Sequence, residues 1–216
     1  MPHRKKSLPL LDRLLIELEH GLKTSFAPAS PDPAPGPGAG EPDTPLTPDQ
    51  RRLSEGLMRI NHTGEIAAQA LYRGQALVAA DSQLRQSLLQ AAAEEQDHLQ
   101  WCGQRLTELS GRPSILAPAW YAGSFLIGVV VALAGDRASL GFVEETEQQV
   151  TVHLDNHLQR LPEDDHRSRA IVTRMREDEA RHAAAARAAG ARELPASVKT
   201  GMTWTADLMR LISFRI

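Results

Sequence analysis

A lone cysteine, Cys102, is all that this chain of 216 residues offers for thiol chemistry. An intramolecular disulfide is therefore excluded and a reducing compartment is expected. Cys102 falls on a predicted helix and reads as a small core residue, not a nucleophile. An excess of one charge is also missing: 24 Lys and Arg stand against 27 Asp and Glu, a net charge of -3. That balance points to no polyanion partner and no nucleic acid. Runs of alternating β-branched residues are absent, which argues against a sheet protein. The N-terminal Leu8–Leu22 stretch (LPLLDRLLIELEHGL) is interrupted by Asp12, Arg13, Glu17 and Glu19. It is therefore neither a secretory apolar region nor an acid-poor transit peptide, and reads as a short amphipathic arm.

The length suits one domain with a sizeable core, or at most two small ones. Eight of the 14 prolines crowd into Ala27–Pro48 (APASPDPAPGPGAGEPDTPLTP), a composition that cannot bury enough apolar surface to offset the entropy of ordering. Residues 1–48 are thus expected to be an arm and a disordered linker, and residues 49–216 a folded domain. There, Ala- and Leu-rich segments alternate with turns such as SGRP (110–113) and LPEDD (161–165). The class is all-α. Thr47 as N-cap with Pro48 following opens a first helix to about Ala80. A second runs from about Ser82 to Leu109, a third from Ser139 to Leu161, and a fourth from Asp164 to Ala189, the count and length of a four-helix bundle.

Two of these helices carry the same polar intrusion. EEQDH (94–98) and DEARH (178–182) each put a glutamate three residues before a histidine. On the second helix the apolar seam Leu84, Leu88, Ala91 continues through Glu95 and His98 to Cys102. On the fourth, Val172 and Met175 continue through Glu179 and His182 to Ala186. The third helix's seam (Leu140, Val143, Val150, Leu154) takes in Glu147 and leaves Glu144 and Glu145 outside. On the first, Glu65 lies one step beside the seam of Leu57, Ile60, Gly64 and Leu71. Converging buried carboxylates would repel one another or take up protons unless something cationic lay between them. Four carboxylates balance two divalent ions, and His98 and His182 supply one neutral nitrogen to each. The separations nearly repeat, 30 residues from Glu65 to Glu95 and 32 from Glu147 to Glu179, so the chain reads as two helical hairpins of one plan. Oxygen and imidazole donors without thiolate suit iron or manganese.

Groups around the ligands should orient the histidines; Asp178 is the candidate, with His153 behind it. His62, three before Glu65, is expected to cap or pack, His157 to be a satisfied core histidine, and His3, His20 and His166 to lie on the surface. Residues 114–135 (SILAPAWYAGSFLIGVVVALAG) hold no charge. As a helix they would be about 33 Å long, enough to cross a bilayer. Crossing would put Glu95 and Glu147 on opposite sides, so the run is read as the bundle's crossover, packed on the core or dipping into one leaflet. Met202–Ile216 (MTWTADLMRLISFRI) reads as an amphipathic helix lying on a membrane, over a last helix docked on the bundle.

Taken together, RINHTGE, EEQDH, EQQVTVHLDNHL and DEARH resemble the demethoxyubiquinone hydroxylase family of ubiquinone biosynthesis over roughly residues 51–216. The resemblance implies a ferritin-like fold whose Glu65, Glu95, His98, Glu147, Glu179 and His182 bind two iron ions. It implies a monooxygenase using O₂ on the ring of a polyprenylated methoxy-methyl-benzoquinol, the penultimate step to ubiquinol, with a reductant supplying electrons. The enzyme would sit peripherally on the cytoplasmic side of a bacterial inner membrane, with the mitochondrial inner membrane the second choice. Self-association and association with other ubiquinone-biosynthesis proteins are both compatible with it. Two other readings compete: an iron oxidase or peroxidase like ferritin or rubrerythrin, and a non-enzymatic helical membrane adaptor that binds no metal.

Overall fold

A computed structural model describes residues 10–26 and 35–216. The described residues form seven helices and no strand: α1 (Leu10–Phe26), α2 (Pro48–Val78), α3 (Ser82–Glu108), α4 (Ala117–Leu133), α5 (Asp136–Arg160), α6 (His166–Ala188) and α7 (Ala196–Ser213). Short connections fold α2 on α3 and α5 on α6 as two helical hairpins, and α4 crosses between them. The four hairpin helices make a ferritin-like bundle.

Local chemistry sets the boundaries. Thr47 Oγ1 accepts from Gln50 N at 3.3 Å while Gln50 Oε1 accepts from Thr47 N at 2.9 Å, a reciprocal cap with Pro48 in the first turn. Asp81 caps α3 through Gln83 N at 2.7 Å. Asp165 caps α6 through Ser168 N at 3.0 Å and also receives the buried Arg105 at 2.8 Å, fastening α3 to α6. The third bundle helix begins at Asp136, three residues before the expected Ser139; its N-cap is Gly135 at φ 102°, and the Asp136 carboxylate ties its start to the α2–α3 turn by accepting from the backbone of Ala80 and Asp81. The last helix begins at Ala196, ahead of the expected Met202.

Apolar packing divides into layers. Leu57, Met58, Cys102, Leu106, Leu154, Val172 and Met175 form one buried cluster; Tyr72, Ala76, Leu88, Ala92, Val143 and Ala186 form another. Each fully buried large side chain contributes about 1.5–3 kcal/mol. On every bundle helix the predicted metal ligands fall between the two clusters, so a polar layer is clamped by apolar packing on both sides.

Within the uncharged run, α4 takes up 17 residues, with Pro118 in its first turn. No described helix is long and apolar enough to cross a membrane. Instead α4 lies along α2 at very close range: a Cβ on Gly74 would stand 2.2 Å from Phe125 O, and one on Gly128 2.2 Å from Leu71 O. Only glycine at these two places lets the backbones meet. The outer face of α4 leaves Leu126, Val130 and Leu133 exposed.

The arm is helix α1, and its charged side faces inward. Glu17 accepts from Arg73 Nε at 2.5 Å and Nη2 at 3.1 Å, and Arg13 bonds Leu77 O. Leu15, Leu18 and Leu22 are exposed. His20, expected on the surface, is half-buried instead: it lies against the bundle with no hydrogen-bond partner for Nε2 among the described residues, and burial first, then the nearby Arg73, lowers its pKa. From residue 35 onward the stretch expected as a disordered linker runs along α3 and α6. Gly36 sits against the Trp101 ring and Arg167 Nε donates to Glu41 O at 3.2 Å. The expectations for His3, for Leu8 and for residues 27–34 fall outside the described residues.

Candidate metal centre

Glu65 (α2), Glu95 and His98 (α3), Glu147 (α5), and Glu179 and His182 (α6) converge in the polar layer. All four carboxylates are buried, and Glu95 has no exposed surface at all. His98 turns Nδ1 toward Glu95 Oε2 at 3.0 Å, Glu179 Oε1 at 3.3 Å and Glu65 Oε2 at 3.6 Å. His182 turns Nδ1 toward Glu179 Oε2 at 3.2 Å and Glu95 Oε1 at 3.4 Å. The donors fall into two overlapping groups, Glu65, Glu95, His98 and Glu179, and Glu95, Glu147, Glu179 and His182. In each, the ligand atoms lie within 4.8 Å of one another. Glu95 and Glu179 belong to both groups; Glu65 with His98 completes one and Glu147 with His182 the other.

The sequence left Glu144, Glu145 and Glu147 to be separated by phase. Glu144 pairs outward with Arg187 Nε at 2.6 Å and Glu145 with Lys199 at 3.0 Å, whereas Glu147 points into the layer. Outside the ligands, His98 Nε2 meets Asp178 Oδ2 at 3.1 Å and His182 Nε2 meets Glu94 Oε2 at 2.9 Å. Nδ1 of each ring faces the cluster while Nε2 faces an outer acid that accepts from it, which fixes ring orientation. Glu94 was missed in the sequence. The signal was there: in both EEQDH and DEARH an acid directly precedes the ligand glutamate. The partnership is crossed, each helix's outer acid serving the other helix's histidine.

His153 does not stand behind Asp178. It packs on the His157 ring, centroids 3.9 Å apart, and lines a cavity beside Glu147. His157 is not a satisfied core histidine: it is 1% exposed and neither ring nitrogen has a partner among the described residues. Burial lowers its pKa to about 2 and that of His153 to about 3, with Arg160 and Arg210 adding to the effect. His62 is buried beside Gly103, belongs to neither donor group, and is lowered to about 4 by burial. His166 is exposed and Cys102 is buried with Sγ 3.7 Å from Met175 Sδ, both as expected.

Protons occupy the electrostatic place of a cation here. Burial pushes Glu65 and Glu147 well above the usual carboxylate range, and neighbouring carboxylates add to it. Burial also works against charge on Glu179 and on both imidazoles, but their mutual hydrogen bonds outweigh it. Glu179 falls to about 2, His182 rises to about 11, and His98 rises as well. Glu95 Oε1 and Glu147 Oε1 are buried without a hydrogen-bond partner among the described residues. Orphaned acceptors, four carboxylates and two imidazoles in one dry layer fit two divalent ions. The absence of thiolate among the donors favours iron or manganese over structural zinc.

Comparison with known proteins covers the segment that holds these residues. The family model described as "Ubiquinone biosynthesis protein COQ7" matches residues 52–211. A protein of Xanthomonas campestris pv. campestris (strain 8004) named 3-demethoxyubiquinol 3-hydroxylase is 54% identical over 205 residues, covering 95% of this chain and 94% of that one. Proteins of the same name from Xanthomonas euvesicatoria pv. vesicatoria (strain 85-10) and Laribacter hongkongensis (strain HLHK9) are 53% and 51% identical, over 95% and 96% of this chain. The matches to these relatives extend ahead of the family model's start, into the segment that contains α1.

Proposed function

The chain belongs to the ubiquinone biosynthesis protein COQ7 family, and on that premise we propose that it is a 3-demethoxyubiquinol 3-hydroxylase. Its substrate would be a polyprenylated demethoxy-benzoquinol (2-polyprenyl-3-methyl-6-methoxy-1,4-benzoquinol), hydroxylated on the ring with O₂ in the penultimate step to ubiquinol. The observation that carries the reading is a cavity of about 380 Å³ whose wall includes Glu65, Glu147 and Glu179. Its other lining is largely apolar: Ile60 and Leu71 of α2, Trp120 and Ile127 of α4, Phe142 and Val150 of α5, and Met202 and Met209 of α7. A ring-sized volume with apolar walls and a few polar groups is what an aromatic quinol requires.

Two iron ions held by Glu65, Glu95, His98, Glu147, Glu179 and His182 would supply O₂ activation at the end of this cavity. The remaining steps fall to the chain's own groups. Asp178 and Glu94 hold the Nε2 protons of His98 and His182 and so fix the ligand face of each ring. Apolar clusters above and below the polar layer exclude water from it. Asn61 lines the cavity with its buried Oδ1 unpartnered, an acceptor available to a quinol hydroxyl. The overall change replaces a ring C–H with C–O–H, reduces the second oxygen atom to water, and consumes two electrons from an external reductant and two protons.

The cavity lies between α4 and α7, the helices that leave Leu126, Val130, Leu133, Trp204, Leu208 and Leu211 exposed. A substrate with a lipid tail would enter from a membrane on which those faces rest, so we assign a peripheral position on the cytoplasmic side of the inner membrane. The test is mass spectrometry of the quinone product from reduced, iron-loaded protein given demethoxy-quinol under labelled O₂. One labelled oxygen on the ring is expected. Unlabelled product from protein holding two irons per chain would remove the quinone reaction and turn attention to peroxide reduction. Protein that holds no metal, with thermal stability indifferent to chelator, would return the helical adaptor.

A further inference from the structure

A second cleft, of about 880 Å³, opens between α5 and α7 on the far side of His153 and Arg210, which line both it and the substrate cavity. Its character is different. Arg160, Arg210 and Arg215 line it, against Asp207, which pairs with Arg210, and Glu145, which pairs with Lys199. Arg160 and Arg215 make no ion pair among the described residues; the Arg160 guanidinium instead lies 5.9 Å from the Phe214 ring centroid. The wall also holds His157, 1% exposed with both ring nitrogens unpartnered. A buried ring with an idle N–H donor beside unpaired guanidiniums is arranged for an anionic oxygen ligand.

We propose that this cleft binds the phosphate of an acidic phospholipid headgroup, with Arg160 and Arg215 as the cationic contacts and His157 as a hydrogen-bond donor. The proposal rests on the reading that α7 lies on a membrane surface. Two lining residues favour a lipid over a soluble phosphate: Val152 and Leu211 are apolar and well exposed at the cleft, where acyl chains would leave it. Arg210, common to both spaces, would then tie headgroup binding to the place where the quinol's tail emerges.

The test measures binding of the metal-loaded full chain to phosphatidylcholine vesicles with and without phosphatidylglycerol. Binding to neutral vesicles reports the membrane reading; the gain on adding phosphatidylglycerol reports the cleft. Arg160→Gln with Arg215→Gln should cut that gain about 25-fold, about fivefold for each basic residue withdrawn from an anionic surface. Arg51→Gln with Arg112→Gln, two exposed arginines outside the cleft, should leave it within twofold. His157→Phe should reduce the gain about tenfold, the worth of a hydrogen bond to a charged group, and His157→Gln should restore part of it. Equal losses in the two arginine pairs, or no gain with phosphatidylglycerol while neutral vesicles bind, would overturn the site. No binding to either vesicle would overturn the membrane reading and the lipid with it. Saturable binding of glycerol phosphate without vesicles, lost in the Arg160 and Arg215 variant, would replace the lipid by a soluble phosphate.

Discussion

Loading the bundle with two divalent ions should expel about four protons per chain at neutral pH. In the metal-free layer His98 and His182 are both raised, the latter to about 11, by carboxylates that accept from both rings. Burial keeps Glu65 and Glu147 raised as well. A dry cluster of four carboxylates and two imidazoles is neutral only with four protons aboard, and two divalent ions bring the same charge in their place. Protons therefore compete with metal, and affinity should rise with pH. The combined binding constant should fall about 10⁴-fold from pH 7 to pH 6, or about 5 kcal/mol, on the count of one tenfold factor per proton. Calorimetry with Mn²⁺, which avoids oxidation, in buffers of different ionisation enthalpy gives the proton count directly. Two ions bound with one proton or none released would show that the layer is not built as described.

Glu179, common to both donor groups, is the most exposing single change: Glu179→Ala protein that folds, binds membrane and still hydroxylates at the native rate would refute the site. Asp178→Asn and Glu94→Gln should each lower metal affinity about 10–100-fold, with Co²⁺ spectra changing first at the His98 end and the His182 end respectively. Gly74→Ala and Gly128→Ala should each destabilise by about 1–3 kcal/mol in urea titrations, because the new methyl meets a backbone carbonyl that cannot yield. His157 is depressed to about 2, so the folded state holds it neutral; its contribution is complete above the unfolded value near 6.5 and is lost as pH falls below it. His157→Leu should therefore flatten the acid side of the stability curve by about 1 kcal/mol between pH 6.5 and 5.5, approaching about 1.4 kcal/mol per pH unit below that, read as the difference from wild type at pH 6.5, 5.5 and 4.5; parallel curves would refute it.

How much of this was legible depended on periodicity. Glu95, His98, Glu147 and Glu179 sit in apolar seams, and a seam position on a long helix determines which way a side chain faces. Helix ends were legible where a side chain caps locally, as at Thr47, and not at Asp136, where α5 starts behind Gly135 without a side-chain cap and the Asp136 carboxylate serves the turn between α2 and α3. His153 was misplaced because phase gives a direction and not a partner; its neighbour is His157, one turn along the same helix. The linker was misjudged from residue 35 on because glycines that look like flexibility in composition are contact points here, at Trp101 and at the Arg167 backbone. The inverted arm was beyond reach of sequence alone, since an amphipathic pattern does not say which face meets the protein until Arg73 is in place to receive Glu17.

The crossed outer acids explain why two hairpins of one plan make a single site. Had Asp178 served His182 and Glu94 served His98, each hairpin could have oriented its own ligands without the other. Instead each histidine is aligned by a carboxylate from the opposing helix, and Glu95 and Glu179 each meet both rings. The arrangement therefore exists only when α3 and α6 are docked, and the buried Arg105–Asp165 pair fastens the same two helices three turns away. An ion pair buried at that depth adds little net stability and sets register. Register is what this centre needs, because a slip of one residue between α3 and α6 would turn both outer acids from the rings they hold and leave the histidines free to rotate away from the ligand cluster.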